Sequence, residues 1–225
     1  CGGDVRKAMN AVELSVIATD EIDGKKVVRL ETVEQLVQKS AVRYDREGDE
    51  HYDIISAFIK SIRGSDADAA VYYLARMLDA GEDPLFIARR MVISAAEDVG
   101  LADPQALAIA QSAAGALQFV GLPEGRIILS EAVIYLACAP KSNSAYLAID
   151  TALGDLRQGK AEPVPKHLRD SHYKGAAQFG HGKDYKYPHD YPGAFVKQQY
   201  LPEKLTGTIY YRPTERDINK KRGNM

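Results

Sequence analysis

The stretch DPLFIARRMVISAAEDVGLADPQALAIAQSAAGALQFVG, residues 83–121, decides the fold. Asp83-Pro84 and Asp103-Pro104 are two copies of one signal: a capping carboxylate followed by proline at the first helical position. The helices they open run to about Val99 and Val120, and a glycine follows each, Gly100 and Gly121. Downstream, Pro123 opens a helix that ends before Pro140. It is apolar almost all round (Ile127, Ile128, Leu129, Val133, Ile134, Leu136), which places it at the centre. Asn143 or Ser144 starts the last helix, ending near Gln158-Gly159. Upstream, Asp49 caps a helix to about Arg63, with Ile54, Ile55, Phe58, Ile59 and Ile62 inward and Gly64 as terminator. Ser65 caps the next, with Ala67, Val71, Leu74 and Leu78 on one side, ending at Gly81. The loops are short, so consecutive helices pack as antiparallel neighbours.

The ends of the chain are less regular. Asp4 caps a helix to about Ala18, with Val5, Ala8, Val12 and Val16 near one face. Asp20 to Leu30 is polar and contains Asp23-Gly24, the turn of a small hairpin. Thr32 caps a short helix carrying Val33, Leu36 and Val37, and Tyr44 to Asp49 is a charged connection. After Gly159 the helical period fades, and Pro163, Pro165, Pro188, Pro192, Pro202 and Pro213 interrupt the chain. Runs 194–200 and 208–212 read as short strands. The expected fold class is mainly α: a helical bundle with an irregular C-terminal arm, containing short strands, laid over it.

Composition narrows the function classes. The chain has 225 residues, 45% hydrophobic and 27% charged, enough for a sizeable core and no case for wholesale disorder. The longest apolar run, Ala132 to Ala139, falls far short of the ~20 residues of a membrane span. The front carries no signal peptide, and Cys1 and Cys138 make neither a disulfide framework nor a zinc motif. A cytoplasmic protein is expected. The chain opens on Cys1-Gly2-Gly3-Asp4 and reads as a piece of something longer. The net charge of -2 hides an asymmetry: residues 160–225 hold 13 Lys and Arg against 7 Asp and Glu, a net +6, and the rest hold 16 against 24, a net -8. The same segment carries 4 of the 5 His and 7 of the 13 Tyr, so the architecture changes near residue 160.

Few residues carry recognisable chemistry. No Gly-x-x-x-x-Gly-Lys-[Ser/Thr] is present. Gly180-His181-Gly182-Lys183 lacks the spacing, the hydroxyl and the strand-to-helix setting of a phosphate loop, and reads as a glycine-rich loop. His167, His172, His181 and His189 have no repeating spacing and no Cys pair beside them, so no metal is expected. There is no nucleophile elbow and no triad. Phe86, Arg90, Ile93 and Glu97 fall along one helical stripe beside Arg89. That stripe is either a half-exposed face with weak ion pairs or a subunit interface, with Phe86, Arg89 and Arg90 as candidate contacts. In the arm, Lys183, Lys186 and Lys197 lie among Tyr185, Tyr187 and Tyr191. Aromatics beside lysines are how single strands are held without sequence preference, so these six are candidate DNA-binding residues. The alternative is that the tyrosines are buried against the helices and the lysines offset the acidic remainder.

Three stretches together resemble one family. Gly3-Asp4-Val5-Arg6-Lys7-Ala8-Met9-Asn10, followed by Glu13-Leu14, resembles the sensor-2 helix in the lid of an AAA+ ATPase. His51-Tyr52-Asp53 through Ser56-Ala57-Phe58-Ile59-Lys60-Ser61-Ile62-Arg63-Gly64-Ser65-Asp66, then Tyr73-Leu74-Ala75-Arg76-Met77, resembles the C-terminal region of the replication-associated recombination protein A family. That bacterial family, also called RarA or MgsA, is related to the eukaryotic Werner helicase-interacting protein. Pro140-Lys141-Ser142-Asn143-Ser144-Ala145-Tyr146 and Tyr187-Pro188-His189-Asp190-Tyr191-Pro192 continue the likeness, which covers essentially the whole chain.

The resemblance implies a parent that is a DNA-dependent ATPase acting at stalled replication forks. It implies a helical domain similar to the clamp-loader collar, serving oligomerisation as a homo-tetramer. Residues 1–43 would then be the remainder of an AAA+ lid, 44–158 the helical oligomerisation domain and 159–225 the basic, Tyr-rich arm packed on it. Walker A, Walker B and sensor 1 would lie before Cys1, so this region would hold no catalytic residue and no cofactor, while the full-length parent would use ATP and Mg. Arg6 alone carries over as a nucleotide-site residue, in the sensor-2 role; an arginine fork suits phosphate oxygens. The implied partners are further copies of the chain, single-stranded or forked DNA through the parent, and replication-fork proteins, with no membrane. The implied place is the bacterial cytoplasm, at the nucleoid. A second reading is a stand-alone helical scaffold that binds a protein partner and has no ATPase attached. A third is a self-contained enzyme using the His-rich arm.

Overall fold

A computed structural model describes residues 9, 12–13, 15–19, 21–22, 24–31, 33, 49–172 and 179–218. It divides into two compact units, Cys1–Ser142 and Asn143–Met225. The secondary structure is mainly α-helical.

In the first unit, residues 9, 12–13 and 15–17 are helical, and a two-stranded antiparallel hairpin follows, β1 (Glu21–Ile22) with β2 (Lys25–Lys26). The hairpin is the one that Asp23-Gly24 predicts. Leu30, Glu31 and Val33 are helical, and the rest of the short helix expected from Thr32 lies outside the described residues.

Five helices build the core: α1 (Asp49–Arg63), α2 (Ala67–Asp79), α3 (Pro84–Ser94), α4 (Gln105–Val120) and α5 (Gly125–Cys138). Both Asp-Pro signals have a physical counterpart, although Pro104 stands just before its helix and the helix expected to open at Pro123 starts at Gly125. The Leu85 N–H donates to the Asp83 carboxylate at 2.9 Å, with Pro84 in the first turn. The Gln105 N–H donates to Asp103 at 3.1 Å. One cap differs from expectation. Asp66, not Ser65, caps α2, accepting the Ala69 N–H at 2.9 Å, while Ser65 takes a left-handed conformation in the turn. The Asp66 carboxylate is the stronger acceptor for helix N–H groups, since the helix dipole favours its charge.

The expected centrality of the 123–139 helix holds. α5 packs against α1, α2, α3 and α4, and buries Leu129, Ala132, Val133, Leu136 and Ala137. Around it lie Phe58 and Ile62 of α1, Leu74 and Met77 of α2, and Ile87 and Met91 of α3, all buried. Burying side chains of this size contributes roughly 1.5–3 kcal/mol each. α5 is not enclosed all round, however. Ile127 and Ile134, seven residues apart, stay 61% and 44% exposed.

The helix expected to reach Val99 keeps α geometry only to Ser94, and Ala95–Val99 form a π turn. The register change brings Asp98 inward, where its carboxylate accepts from the Ser94 hydroxyl at 2.8 Å and from the Arg63 Nε. Glu97 accepts from the same guanidinium at 3.1 Å. The last turn of α1 is thereby tied to the end of α3. The Asp98 carbonyl accepts the Ser142 N–H at 2.8 Å. Lys141 donates to the Ala137 carbonyl at 2.8 Å and to the Ser65 hydroxyl at 3.1 Å, closing the C-terminus of α5. Desolvation holds its ammonium below the usual lysine range.

The second unit consists of α6 (Ser144–Arg157) and the arm. Buried Asp217 accepts from the Ser144 hydroxyl at 2.7 Å, the Tyr211 hydroxyl at 3.3 Å and the Thr214 N–H at 3.1 Å, fastening the arm to the start of α6. The strands expected at 194–200 and 208–212 do not form. Among the described residues of the arm there is no ladder, only extended chain and single 3-10 turns such as Pro188–Asp190 and Glu203–Leu205. The Gln198 side-chain amide accepts the Lys186 N–H at 3.2 Å and donates to the Lys186 carbonyl at 2.8 Å, so a side chain rather than a backbone ladder ties these two segments together.

Candidate functional site

The basic arm is the candidate nucleic-acid interface. All three of its singled-out lysines, Lys183, Lys186 and Lys197, are exposed. Tyr185, Tyr187 and Tyr191 are 43%, 53% and 39% exposed. The Gln198 amide, clasped to the Lys186 backbone, brings residues 186 and 197 onto neighbouring segments although they are eleven apart in sequence. It also donates to the Tyr200 hydroxyl at 2.8 Å. Tyr187 packs against the His189 ring at 5.1 Å between centroids. The arm's tyrosines therefore divide by role. Tyr210 and Tyr211 face inward on carboxylates, Asp155 and Asp217, and Tyr185, Tyr187, Tyr191 and Tyr200 present ring area to solvent.

The inward tyrosines set a pH dependence. Asp155 of α6 accepts from Lys160 at 2.8 Å and from the Tyr210 hydroxyl at 3.0 Å. The Lys160 hydrogen bond, then that of Tyr210, holds the Asp155 carboxyl below the ordinary aspartate value of 3.8. The Tyr210 phenol is pushed up, by desolvation first and by Asp155 second. A carboxylate depressed on folding contributes stability that is complete above its unfolded value and is lost as pH falls through the folded one. Protection of the amides of residues 208–212, taken relative to their intrinsic exchange rates at each pH, should therefore be highest at neutral pH and fall below pH 3.8. Asp155→Asn should exchange fast at pH 7 already. Equal protection in both proteins at pH 7 would contradict the anchoring role.

The four arm histidines do not converge. His167 shares a hydrogen bond with the Gln199 carbonyl at 2.7 Å, His172 with Asp170 at 2.9 Å and His181 with Arg169 at 3.4 Å. Among the described residues, no three His, Cys, Asp or Glu side chains come together in a way that would hold a metal.

The second candidate surface is on α3. Phe86 is half-buried and stacked on the His51 ring at 6.3 Å. Arg89 lies over the Phe86 ring at 5.9 Å and pairs with Asp83 at 3.2 Å, both side chains well exposed. Arg90 keeps a buried Nε with no hydrogen-bond partner among the described residues. Its stripe-mate Glu97 is engaged with Arg63 instead. Sequence reasoning singled out these α3 residues but missed the larger apolar surface. Phe119 at the end of α4 is 93% exposed, with Val120, Leu122, Ile127 and Ile134 also at the surface. On α6, Tyr146, Ile149, Leu153 and Leu156 are each at least 40% exposed. Their 3-4-3 spacing is that of a helix–helix seam, a signal already present in the sequence. Arg6 lies outside the described residues.

The model of the family described as MgsA AAA+ ATPase C terminal matches residues 64–225, and that of the AAA C-terminal domain matches residues 1–63. The chain is similar to replication-associated recombination protein A of Bacillus subtilis, 55% identical over 216 residues, which is 96% of this chain and 51% of that protein. It is 53% identical over 214 residues to an uncharacterized AAA domain-containing protein of Mycobacterium tuberculosis, covering 95% of this chain and 47% of the relative. It is 42% identical over 223 residues to replication-associated recombination protein A of Escherichia coli, covering 98% and 50%. The chain thus spans about half the length of the curated relatives it matches. Among the described residues, no helix is long and apolar enough to cross a membrane.

Proposed function

Because this chain belongs to the MgsA AAA+ ATPase C-terminal family, we propose that it is the assembly and DNA-engagement region of an AAA+ ATPase acting in replication and recombination. The division into a lid remnant at 1–43, a helical oligomerisation domain at 44–158 and an arm at 159–225 belongs to the same proposal. The parent would hydrolyse ATP with Mg on its nucleotide-binding core. Arg6 would reach the phosphates in the sensor-2 role, and this region would supply assembly and contact with DNA. Four copies would assemble, in a collar-like arrangement.

The observation that carries the assembly half is unpartnered apolar surface: Phe119 with Ile127 and Ile134, and the seam on α6. Exposed apolar area in patches of this kind marks interaction surfaces. The unpartnered Arg90 Nε beside Phe86 and Arg89 supports a polar edge to such a contact. The DNA half rests on solvent-facing tyrosines interleaved with exposed lysines, the arrangement that holds single strands by stacking and charge.

The DNA half is tested by titrating labelled single-stranded DNA at two salt concentrations. The proteins compared are the wild type and the triple variant Lys183→Ala, Lys186→Ala, Lys197→Ala. Binding should be non-specific, roughly 10⁻⁴–10⁻⁶ M, and should weaken steeply with salt as counterions are released. The variant should bind more weakly and with a shallower salt slope. Identical curves for the two proteins, or no binding by either at low salt, would leave the arm a structural element.

A further inference from the structure

Two sides of α6 do different work. Ser144 and Asp155 lie on one side, three helical turns apart, and both hold the arm. Ser144 donates to Asp217 at 2.7 Å, and Asp155 accepts from Tyr210 at 3.0 Å. Tyr146, Ile149, Leu153 and Leu156 lie on the opposite side, where the arm's anchors leave them exposed. Their 3-4-3 spacing reads the same from either end of the helix. A second α6 laid antiparallel about a two-fold axis, level with Thr151, therefore sets Tyr146 of each copy opposite Leu156 of the other, and Ile149 opposite Leu153. The flanks fit the same arrangement. Asp150 and Arg157 stand along one edge of the seam, exposed and without an ion pair among the described residues. Ala145 and Ala152 stand along the other edge, small enough to let two helices approach closely. Within α6, the positions three and four residues from Asp150 are Tyr146, Leu147, Leu153 and Gly154, and those before Arg157 are Leu153 and Gly154. Neither charge therefore has an intrahelical partner. In an antiparallel pair like edges face each other, and helical side chains lean toward their own N-terminus. Asp150 of one copy and Arg157 of the other then lean together, twice by symmetry. A parallel pair would set the charged edge against the alanine edge.

We infer that α6 pairs antiparallel with α6 of a second copy of this chain, through the apolar seam and a reciprocal Asp150–Arg157 bridge. The pairing rests on the assembly reading above and names the surface and the partner that serve it. A two-fold contact uses each seam once, so it joins two chains. The patch of Phe119, Ile127 and Ile134 is then left to join pairs into four.

The test uses the full chain with Cys1→Ser and Cys138→Ser as background, so that introduced thiols are the only ones. Ile149→Cys and Leu153→Cys are made as separate variants, each at a side chain already at the surface. Co-expressed and mildly oxidised, the two should give disulfide-linked pairs about fivefold more than either alone, because only the antiparallel register sets 149 and 153 face to face. Equal linking by each variant alone would show a parallel pair and overturn the inference. A charge cycle reads the flank, with the dissociation constant of the pair measured by sedimentation equilibrium. Asp150→Arg and Arg157→Asp should each weaken it about tenfold, since two bridges turn to repulsion. The double variant, in which the charges trade places across the contact, should recover most of the loss. A double variant as weak as the single ones would overturn the inference. If the wild type sediments as several chains while no disulfide forms and no charge variant changes its mass, the pairing falls and assembly stands through another surface. If the wild type is a single chain, both fall.

Discussion

Gly100→Ala should destabilise the helical unit by about 3–5 kcal/mol, enough to remove most of the stability of an ordinary domain. Gly100 has φ +51 and ψ -131, a region that side-chain-bearing residues rarely enter. Strain alone accounts for about 1–3 kcal/mol. The larger part is steric. A Cβ at this position would lie 2.5 Å from the Ser142 carbonyl oxygen, and that oxygen belongs to backbone. The Ser142 N–H donates to the Asp98 and Val99 carbonyls, so the segment cannot retreat without breaking them. Gly121→Ala is the internal control. Gly121 has φ +73, and nothing lies within 4 Å of the place a methyl group would take, so it should show the strain without the clash. Denaturant unfolding of both variants reads the difference directly. Equal losses for the two would show that the approach of Ser142 is unimportant.

Asp98→Ala should lower stability by about 2–4 kcal/mol. Asp98 is 6% exposed and satisfies the hydroxyl of Ser94, which is 1% exposed. Removing the carboxylate leaves that hydroxyl without this partner and strips Arg63 of its inner one. The guanidinium side chain is 49% exposed and keeps Glu97 at 3.1 Å. Water therefore screens its loss, which is why the figure stays below that of a fully buried pair. A domain of this size should show a midpoint lower by about 4–16 °C. The same substitution should restore regular α geometry to 95–99, since the carboxylate is what the π turn brings inward. A stability loss under about 0.5 kcal/mol would show that Asp98 only decorates the turn.

The contrast between these two sites and the rest of the helical unit shows what a sequence makes legible. Asp83, Asp103 and the apolar run of α5 act over one helical turn or one helix face, so their neighbours in sequence suffice to read them. The π turn at Ala95–Val99 brings Asp98 onto Arg63, thirty-five residues earlier. No local pattern encodes that pairing. The arm shows the same limit. Its charge and tyrosines stand in the composition. The clasp of the Gln198 amide on the Lys186 backbone and the meeting of Asp217 with Ser144 across seventy-three residues do not. The stripe of Phe86, Arg90, Ile93 and Glu97 is a matter of helical spacing. The exposure of Phe119, Ile127 and Ile134 is not, because an apolar helix reads as buried until its neighbours are known.

Assembly through the helical region is the central claim, and light scattering of the purified chain without nucleotide tests it most directly. One chain has a mass of 24.7 kDa. At micromolar concentration the account predicts a single species of four times that mass. Changing Phe119, Ile127 and Ile134 together to serine should reduce its mass without unfolding the helices, as these side chains are already at the surface. A wild-type mass of one chain across that concentration range would contradict the claim.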